Sequence, residues 1–148
     1  VYNTHLDAFA QGSDTMSKQV AEVANLLEKA DRDGLPWIAG GDFNLLPSRG
    51  AYDSLGAGQQ EYYRPESELE PIYSRYQSVP GPAETGGAGY ADWFTHFPND
   101  PAVNAPDRTI DYIFLSDLVQ VGSRRVRTHD TLAISDHLPI LVTLELPR

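Results

Sequence analysis

The feature that most narrows the fold is one helix pattern set between two strand-like segments, the second ending in paired glycines. From Ser13 to Ala30, Met16, Val20, Val23, Ala24 and Leu27 recur at helical spacing, with Lys18, Glu22, Asn25 and Lys29 between them. Ser13, Asp14 and Thr15 offer N-cap oxygens, and Gly34 with Pro36 ends the helix. Upstream, Val1-Tyr2-Asn3-Thr4-His5-Leu6 reads as a strand. Downstream, Trp37-Ile38-Ala39 is a short apolar run reaching Gly40-Gly41, predicted as a buried strand that enters a tight loop. Three β-rich runs follow late in the chain, Ile110 to Leu115, Val119 to Val126 and Ile140 to Leu146. Strand, helix, strand and further strands predict a layered α/β (α+β) fold.

Between these parts Ser48 caps a predicted short helix to Leu55, and the pattern then blurs from Gly56 to Pro106. Gly, Pro, Ser and acidic residues there predict long, partly ordered loops with one or two short strands, the best over Trp93 to Phe97. Long loops in a compact domain are usually functional, so substrate choice is expected there. No internal repeat or low-complexity tract is visible. With 148 residues and 41% apolar content the chain makes one domain with a core. Eleven Lys and Arg against 21 Asp and Glu leave a net charge of −10, which disfavours unselective coating of nucleic acid or anionic membranes. A local basic or metal-filled cleft can still take one phosphate. No window approaches the roughly 18 apolar residues of a membrane span, so no stable membrane insertion is expected. The absence of cysteine excludes disulfides, thiolate zinc sites and cysteine nucleophiles, and leaves the compartment open.

Four polar clusters sit where strands end. In Asn3-Thr4-His5-Leu6-Asp7, His5 suits a phosphate contact or a general acid, or a structural bond to a backbone carbonyl. In Gly40-Gly41-Asp42-Phe43-Asn44, alternation puts Asp42 and Asn44 on one side and turns Phe43 to the core. Asp42 can orient or deprotonate a water there; an Asx-type turn would use the same residues on local amides. In Asp107-Arg108-Thr109-Ile110-Asp111-Tyr112-Ile113-Phe114, Asp111 lies in an apolar strand and needs a partner, a histidine, a metal or Arg108. In Ser135-Asp136-His137-Leu138-Pro139-Ile140, Asp136 suits a hard cation and His137 a developing phosphate oxyanion, while a plain polar turn is the bland reading.

Taken in order, NTHLD, GGDFN, DRTIDYIF and SDHLPI closely resemble the endonuclease/exonuclease/phosphatase superfamily, which includes DNase I-like nucleases, neutral sphingomyelinases and inositol polyphosphate 5-phosphatases. The resemblance implies a four-layered α/β/β/α sandwich, of which this chain carries the second half. It implies that Asp42 activates water, Asn44 binds phosphate, Asp111 polarises His137, and His137 stabilises the pentavalent state. His5 contacts phosphate or protonates the leaving oxygen, and Asp136, Asp42 and Asn44 serve a Mg²⁺ site that Mn²⁺ can also fill. The implied function is a Mg²⁺-dependent phosphoesterase acting on nucleic acid, phospholipid or sugar phosphate. Relatives usually carry Arg directly before the Ile of the IDY strand; here Thr109 is there and Arg108 lies one earlier.

Such domains run to about 250 residues, within the range of one large domain. We therefore expect residues 1–148 to be the C-terminal part of a single domain, whose missing N-terminal half supplies an Asn and the principal metal-binding Glu. The chain alone is then expected to be inactive and to bind Mg²⁺ weakly. The residues also admit two other readings: a non-catalytic half-domain or binding protein with the same fold, and a zinc hydrolase using His5, His96, His129 and His137. The latter lacks the close spacing of a helical zinc motif. Arg124, Arg125 and Arg127 read as a solvated strand edge, and Trp93 as core; Tyr62, Tyr63 and Phe94 could stack on a base or touch lipid.

Overall fold

The computed structural model describes residues 1–8, 12–128 and 130–147. The strand β1 (Tyr2–His5), the helix α1 (Thr15–Arg32) and the strand β2 (Ile38–Asp42) form the expected unit, with β1 parallel to β2. The helix stops where Gly34 takes a positive φ of 69°. Its face of Met16, Val20, Leu27 and Ala30 packs on Ala39, Phe43, Tyr112 and Phe114 of the sheet. The sheet is completed by β3 (Gln77–Val79) and β4 (Asp111–Leu115), in the order β1-β2-β4-β3, with β4 antiparallel to both neighbours.

Strand alternation sorts β4 between two layers. Tyr112 and Phe114 turn to the helix side, while Ile113 and Leu115 turn to the opposite side. There they meet Val121, Ile140, Val142 and Leu144 of a second, antiparallel pair, β5 (Gln120–Val126) and β6 (Ile140–Glu145). Helix, sheet and second sheet thus stack in layers, and the polar ends of β1, β2 and β4 open at one end of the inter-sheet space. No helix among the described residues is long and apolar enough to cross a membrane.

Three expectations change. The glycines after Ala39 do not open a loop; β2 runs through them to Asp42. The reason is steric, since a Cβ on Gly41 would lie 1.8 Å from the Thr4 carbonyl oxygen of the paired strand. The strand expected over Trp93 to Phe97 is replaced by a 3₁₀ turn at Tyr90–Trp93. Only His96 makes β-bridges there, one to Arg108 and one to His137, because the segment is wedged between two partners and runs along neither. Residues 56–106 are more ordered than expected. They hold α3 (Ala57–Gln60), α4 (Glu70–Tyr73), α5 (Pro82–Thr85) and β3, which is too short for its period to show in sequence. By contrast α2 (Arg49–Asp53) forms as read, with the Ser48 hydroxyl accepting from the Ala51 amide at 3.2 Å.

The close approach at Gly41 gives a stability prediction. Gly41→Ala forces β1 away and is expected to cost about 3 kcal/mol, the upper range for inserting a methyl into packed structure. Gly58→Ala, whose Cβ would meet nothing within 4 Å, serves as the control and should be neutral or slightly stabilising. Urea unfolding of both variants measures the difference.

Candidate active site

Strand register builds the centre of the site. His5 pairs with Asp42 across β1 and β2, and Asp42 pairs with Asp111 across β2 and β4. Directly paired residues point to the same face, so three chemistry-bearing side chains, far apart in sequence, stand in a row. His5 Nε2 lies 3.4 Å from Asp42 Oδ2, with the imidazole largely exposed and the carboxylate mostly covered.

Past Asp42 the chain turns sharply. Phe43 is fully buried, and Asn44 adopts a left-handed φ of 52°. The Asn44 amide N–H donates to Asp42 Oδ1 at 2.8 Å, and its side-chain Nδ2 donates to Asp42 Oδ2 at 3.2 Å and to the Leu6 carbonyl at 3.0 Å. The Asx-type turn and the functional reading therefore coincide: the turn aims the Asp42 carboxylate. Simple alternation does not bring Asn44 alongside; the left-handed turn does. The buried Tyr112 hydroxyl fixes the same loop by donating to the Leu45 and Thr109 carbonyls at 2.9 and 3.1 Å.

His137 arrives on the loop before β6. Its Nδ1 lies 3.1 and 3.0 Å from the two oxygens of Asp111, and its Nε2 lies 3.8 Å from Asp42 Oδ2. Of the two protein partners considered for Asp111, the structure selects the histidine. Arg108 instead clasps Asp107 through two bonds, at 2.7 and 2.9 Å. A residue that sequence reading missed, fully buried Thr95, sets this arrangement. Its hydroxyl accepts from the Ile110 and Asp111 amides at 3.1 and 3.2 Å, while its carbonyl accepts from the Leu138 amide at 2.7 Å. Thr95 thus ties the Asp111 strand to the His137 loop. Nothing in its local pattern announces this, because both partners are distant in sequence.

Asp42, Asp111 and His137 form one group whose ligand atoms lie within 4.8 Å of one another. Asp136 is not part of it. Its carboxylate is turned toward His96, with Oδ2 3.9 Å from His96 Nε2, and it groups with His96 and His137. Two cavities of about 390 Å³ flank the centre. One is lined by Gly40, Asp42, Asp111, Ile113, His137 and Ile140. The other is lined by Asn44, Gln59, Tyr62, Tyr63, His96 and Arg108. Arg108 is buried at the second cavity, where its guanidinium also donates to Gln59 at 2.7 Å and lies over the Tyr63 ring. Its one-residue displacement in sequence thus sends it away from the Asp42–His137 cavity. Of the histidines in the four-histidine zinc reading, His129 lies outside the described residues.

Burial raises the Asp42 carboxyl above its ordinary 3.8, and neighbouring Asp111 adds to the rise against the Asn44 amide and the two histidines. The hydrogen bond to Asp111 raises His137 above its ordinary 6.5, against the cost of burial. Burial lowers His96 to about 4, helped by the adjacent His137 and Arg108. The centre thus combines a carboxylate made more basic, an imidazole biased toward its cation, and a second imidazole held neutral.

Comparison with known proteins places this layered α/β architecture in a family. The Endonuclease/Exonuclease/phosphatase family profile matches residues 4–137, and the chain belongs to that family. Family members are typically hydrolases of phosphate esters. No curated protein matches the chain. Among solved structures, the human Nocturnin catalytic domain with bound sulfate aligns with a TM-score of 0.62 at 20% identity, over 98% of this chain and 46% of its own. A Bacteroides thetaiotaomicron mannosyl-6-phosphatase aligns at 0.55 and 18% identity, over 97% and 50%. An endonuclease/exonuclease/phosphatase from Beutenbergia cavernae aligns at 0.52 and 22%, over 96% and 34%. These likenesses establish the DNase I-like fold. The chain spans about half the length, or less, of the structures it matches.

The coupled titrations predict opposite signs of usefulness. With its folded value above 6.5, His137 adds stability that is whole below pH 6.5 and fades as pH climbs through the folded value. Asp42, raised above 3.8, is at its most favourable below pH 3.8, and its ionisation at neutral pH works against folding. The melting temperature of Asp42→Asn relative to the parent should therefore rise from pH 3 to pH 7, on top of a constant loss of one Asn44 hydrogen bond, and Asp111→Asn should lower the His137 pKa. Thermal scans and NMR titration of the imidazole protons read the two outcomes.

Proposed function

We propose that this chain carries the water-activating and phosphate-stabilising part of a divalent-metal-dependent phosphoesterase, acting on a phosphodiester or a phosphomonoester. The observation that supports it best is the convergence of Asp42, Asp111 and His137 within 4.8 Å, each held by an independent hydrogen bond or strand pairing. Asp42 takes the proton of the attacking water, its carboxylate aimed by the Asn44 amide. As the water oxygen bonds to phosphorus and the ester P–O bond breaks, His137 meets the growing negative charge through Nε2, while Asp111 holds Nδ1. His5, exposed beside Asp42, returns a proton to the departing oxygen. Both Nδ2 hydrogens of Asn44 are engaged, so it orients Asp42 first and binds phosphate only by releasing one of those bonds.

A hard cation such as Mg²⁺ binds through one or two carboxylates, its own waters and substrate phosphate. The oxygen donors at the centre fit that demand, with Asp42 the foremost ligand, Asn44 beside it, and Asp136 recruited only if it turns from His96. When bound, Mg²⁺ supplies neutralisation of phosphate charge. Because the chain spans about half of its structural neighbours or less, the proposal is for the whole domain. The remaining half would contribute further ligands, and the edge strand β1 with the partly covered Ile38, Ile113 and Ile140 offers the surface it would complete. Nucleic acid, phospholipid and sugar phosphate remain the candidate substrates.

The test is hydrolysis of bis(p-nitrophenyl) phosphate and p-nitrophenyl phosphate with Mg²⁺, by the chain alone and joined to the residues its coding DNA specifies upstream. The extended protein is expected to be the active form, and chelation should abolish turnover until Mg²⁺ or Mn²⁺ is restored. Asp42→Asn and His137→Ala should each lower kcat by about 10²–10⁴-fold, the range for losing a positioned acid–base or oxyanion group. Unchanged rates in both variants would refute the hydrolase reading and favour a binding protein of the same fold.

A further inference from the structure

The third histidine at this site, His96, has no part in the chemistry proposed above, yet the backbone locks it against His137. The two residues form an isolated antiparallel bridge, and their ring centroids lie 4.7 Å apart. The segments are fastened on both sides, by the Leu138 amide on the Thr95 carbonyl at 2.7 Å and the Phe97 amide on the Asp136 carbonyl at 2.8 Å. His96, Asp136 and His137 are thereby presented together, with one ligand atom of each inside a 4.8 Å group.

The atoms left available are those a metal would use. His96 Nδ1 is buried and has no hydrogen-bond partner among the described residues, so Nε2, which faces Asp136, is the nitrogen that reaches outward. His137 Nδ1 is occupied by Asp111, which leaves His137 Nε2 and reproduces the carboxylate–imidazole pairing that orients metal-bound histidines. Asp136 is exposed and free to rotate its carboxylate inward. Two imidazoles and one carboxylate with an open fourth position suit Zn²⁺, whose ligand distances are about 2 Å. They do not suit Mg²⁺, which prefers oxygen alone.

We propose that His96, Asp136 and His137 form a transition-metal site, selective for Zn²⁺ over Mg²⁺, that switches the catalytic centre off by occupying His137 Nε2. Metal binding rests on the geometry alone; the switching-off rests on the function proposed for His137. The site also withdraws Asp136 from any role beside Asp42, so one ion acts on two groups of the centre.

The metal-free chain is titrated with Zn²⁺ in competition with a chromophoric zinc indicator, in the presence of millimolar Mg²⁺. A single site is expected that Mg²⁺ does not displace. His96→Gln and Asp136→Asn should each weaken it at least tenfold, and His5→Gln should leave it unchanged. Asp136 is exposed, so its variant keeps the fold, which circular dichroism verifies for all three. Affinity unaltered by both His96→Gln and Asp136→Asn would overturn the site. So would loss of affinity in His5→Gln alone, which would move the ion to His5 and Asp42. In the active, extended protein, Zn²⁺ should inhibit Mg²⁺-dependent turnover, and His96→Gln should retain that turnover while resisting Zn²⁺. Binding at the site without inhibition would overturn the switch, whereas failure of Mg²⁺-dependent turnover itself would count against the phosphoesterase reading and leave the binding result standing.

Discussion

Backbone pairing of β1, β2 and β4 in one register is the constraint on which the site depends. It sets His5 opposite Asp42 and Asp42 opposite Asp111, so three side chains share one face without needing to attract one another. Two of them are carboxylates whose mutual repulsion would otherwise separate them. What holds them is the apolar packing beneath: Phe43, Tyr112 and Phe114 form edge-on and stacked ring contacts below the strands and are almost wholly buried. Burial of those rings favours the register strongly enough to outweigh the electrostatic cost of placing acids side by side.

That cost is visible in the ionisation of the site. Asp42 is desolvated and faces a second carboxylate, and its proton affinity rises accordingly. The same environment that works against folding makes the group a better base, a trade commonly found where chemistry is done. The Asp111–His137 pair offsets part of this by bringing an imidazolium close to both acids. Thr95 matters because it fixes the distance between those two partners through the backbone, leaving little freedom in either side chain.

The region from Gly56 to Pro106 shows how far structure can depart from a polar, glycine-rich pattern. Its aromatic residues serve separate walls: Tyr63 beneath the Arg108 guanidinium, Tyr73 among the core rings, Trp93 against the second sheet, and Tyr90 edge-on to Phe94. Gln59 and Asp107 complete the cage around Arg108, which is why a charged residue can be fully covered there. The cavity beside Asn44 owes its wall to this cage, so residues remote from the four polar motifs shape the space next to Asn44.

The sequence by itself determined the strand–helix–strand unit, the late strands and the polar residues that stand at the strand ends. Those features rest on local causes: helical spacing over Ser13 to Ala30, β-rich runs, and polar residues that a strand end must expose. It also required that Asp111 have a partner, because an isolated carboxylate in an apolar strand is costly. Tertiary structure alone brought His137, the partner the family resemblance implies, onto Asp111, turned Asp136 toward His96, ran β2 through its glycines, and gave Thr95 and Arg108 their places. Each of those outcomes depends on contacts between segments far apart in the chain, or on the packing of one strand's carbonyl against another's glycine. Periodicity and residue type carry no record of such contacts, and only the folded register brings them into being.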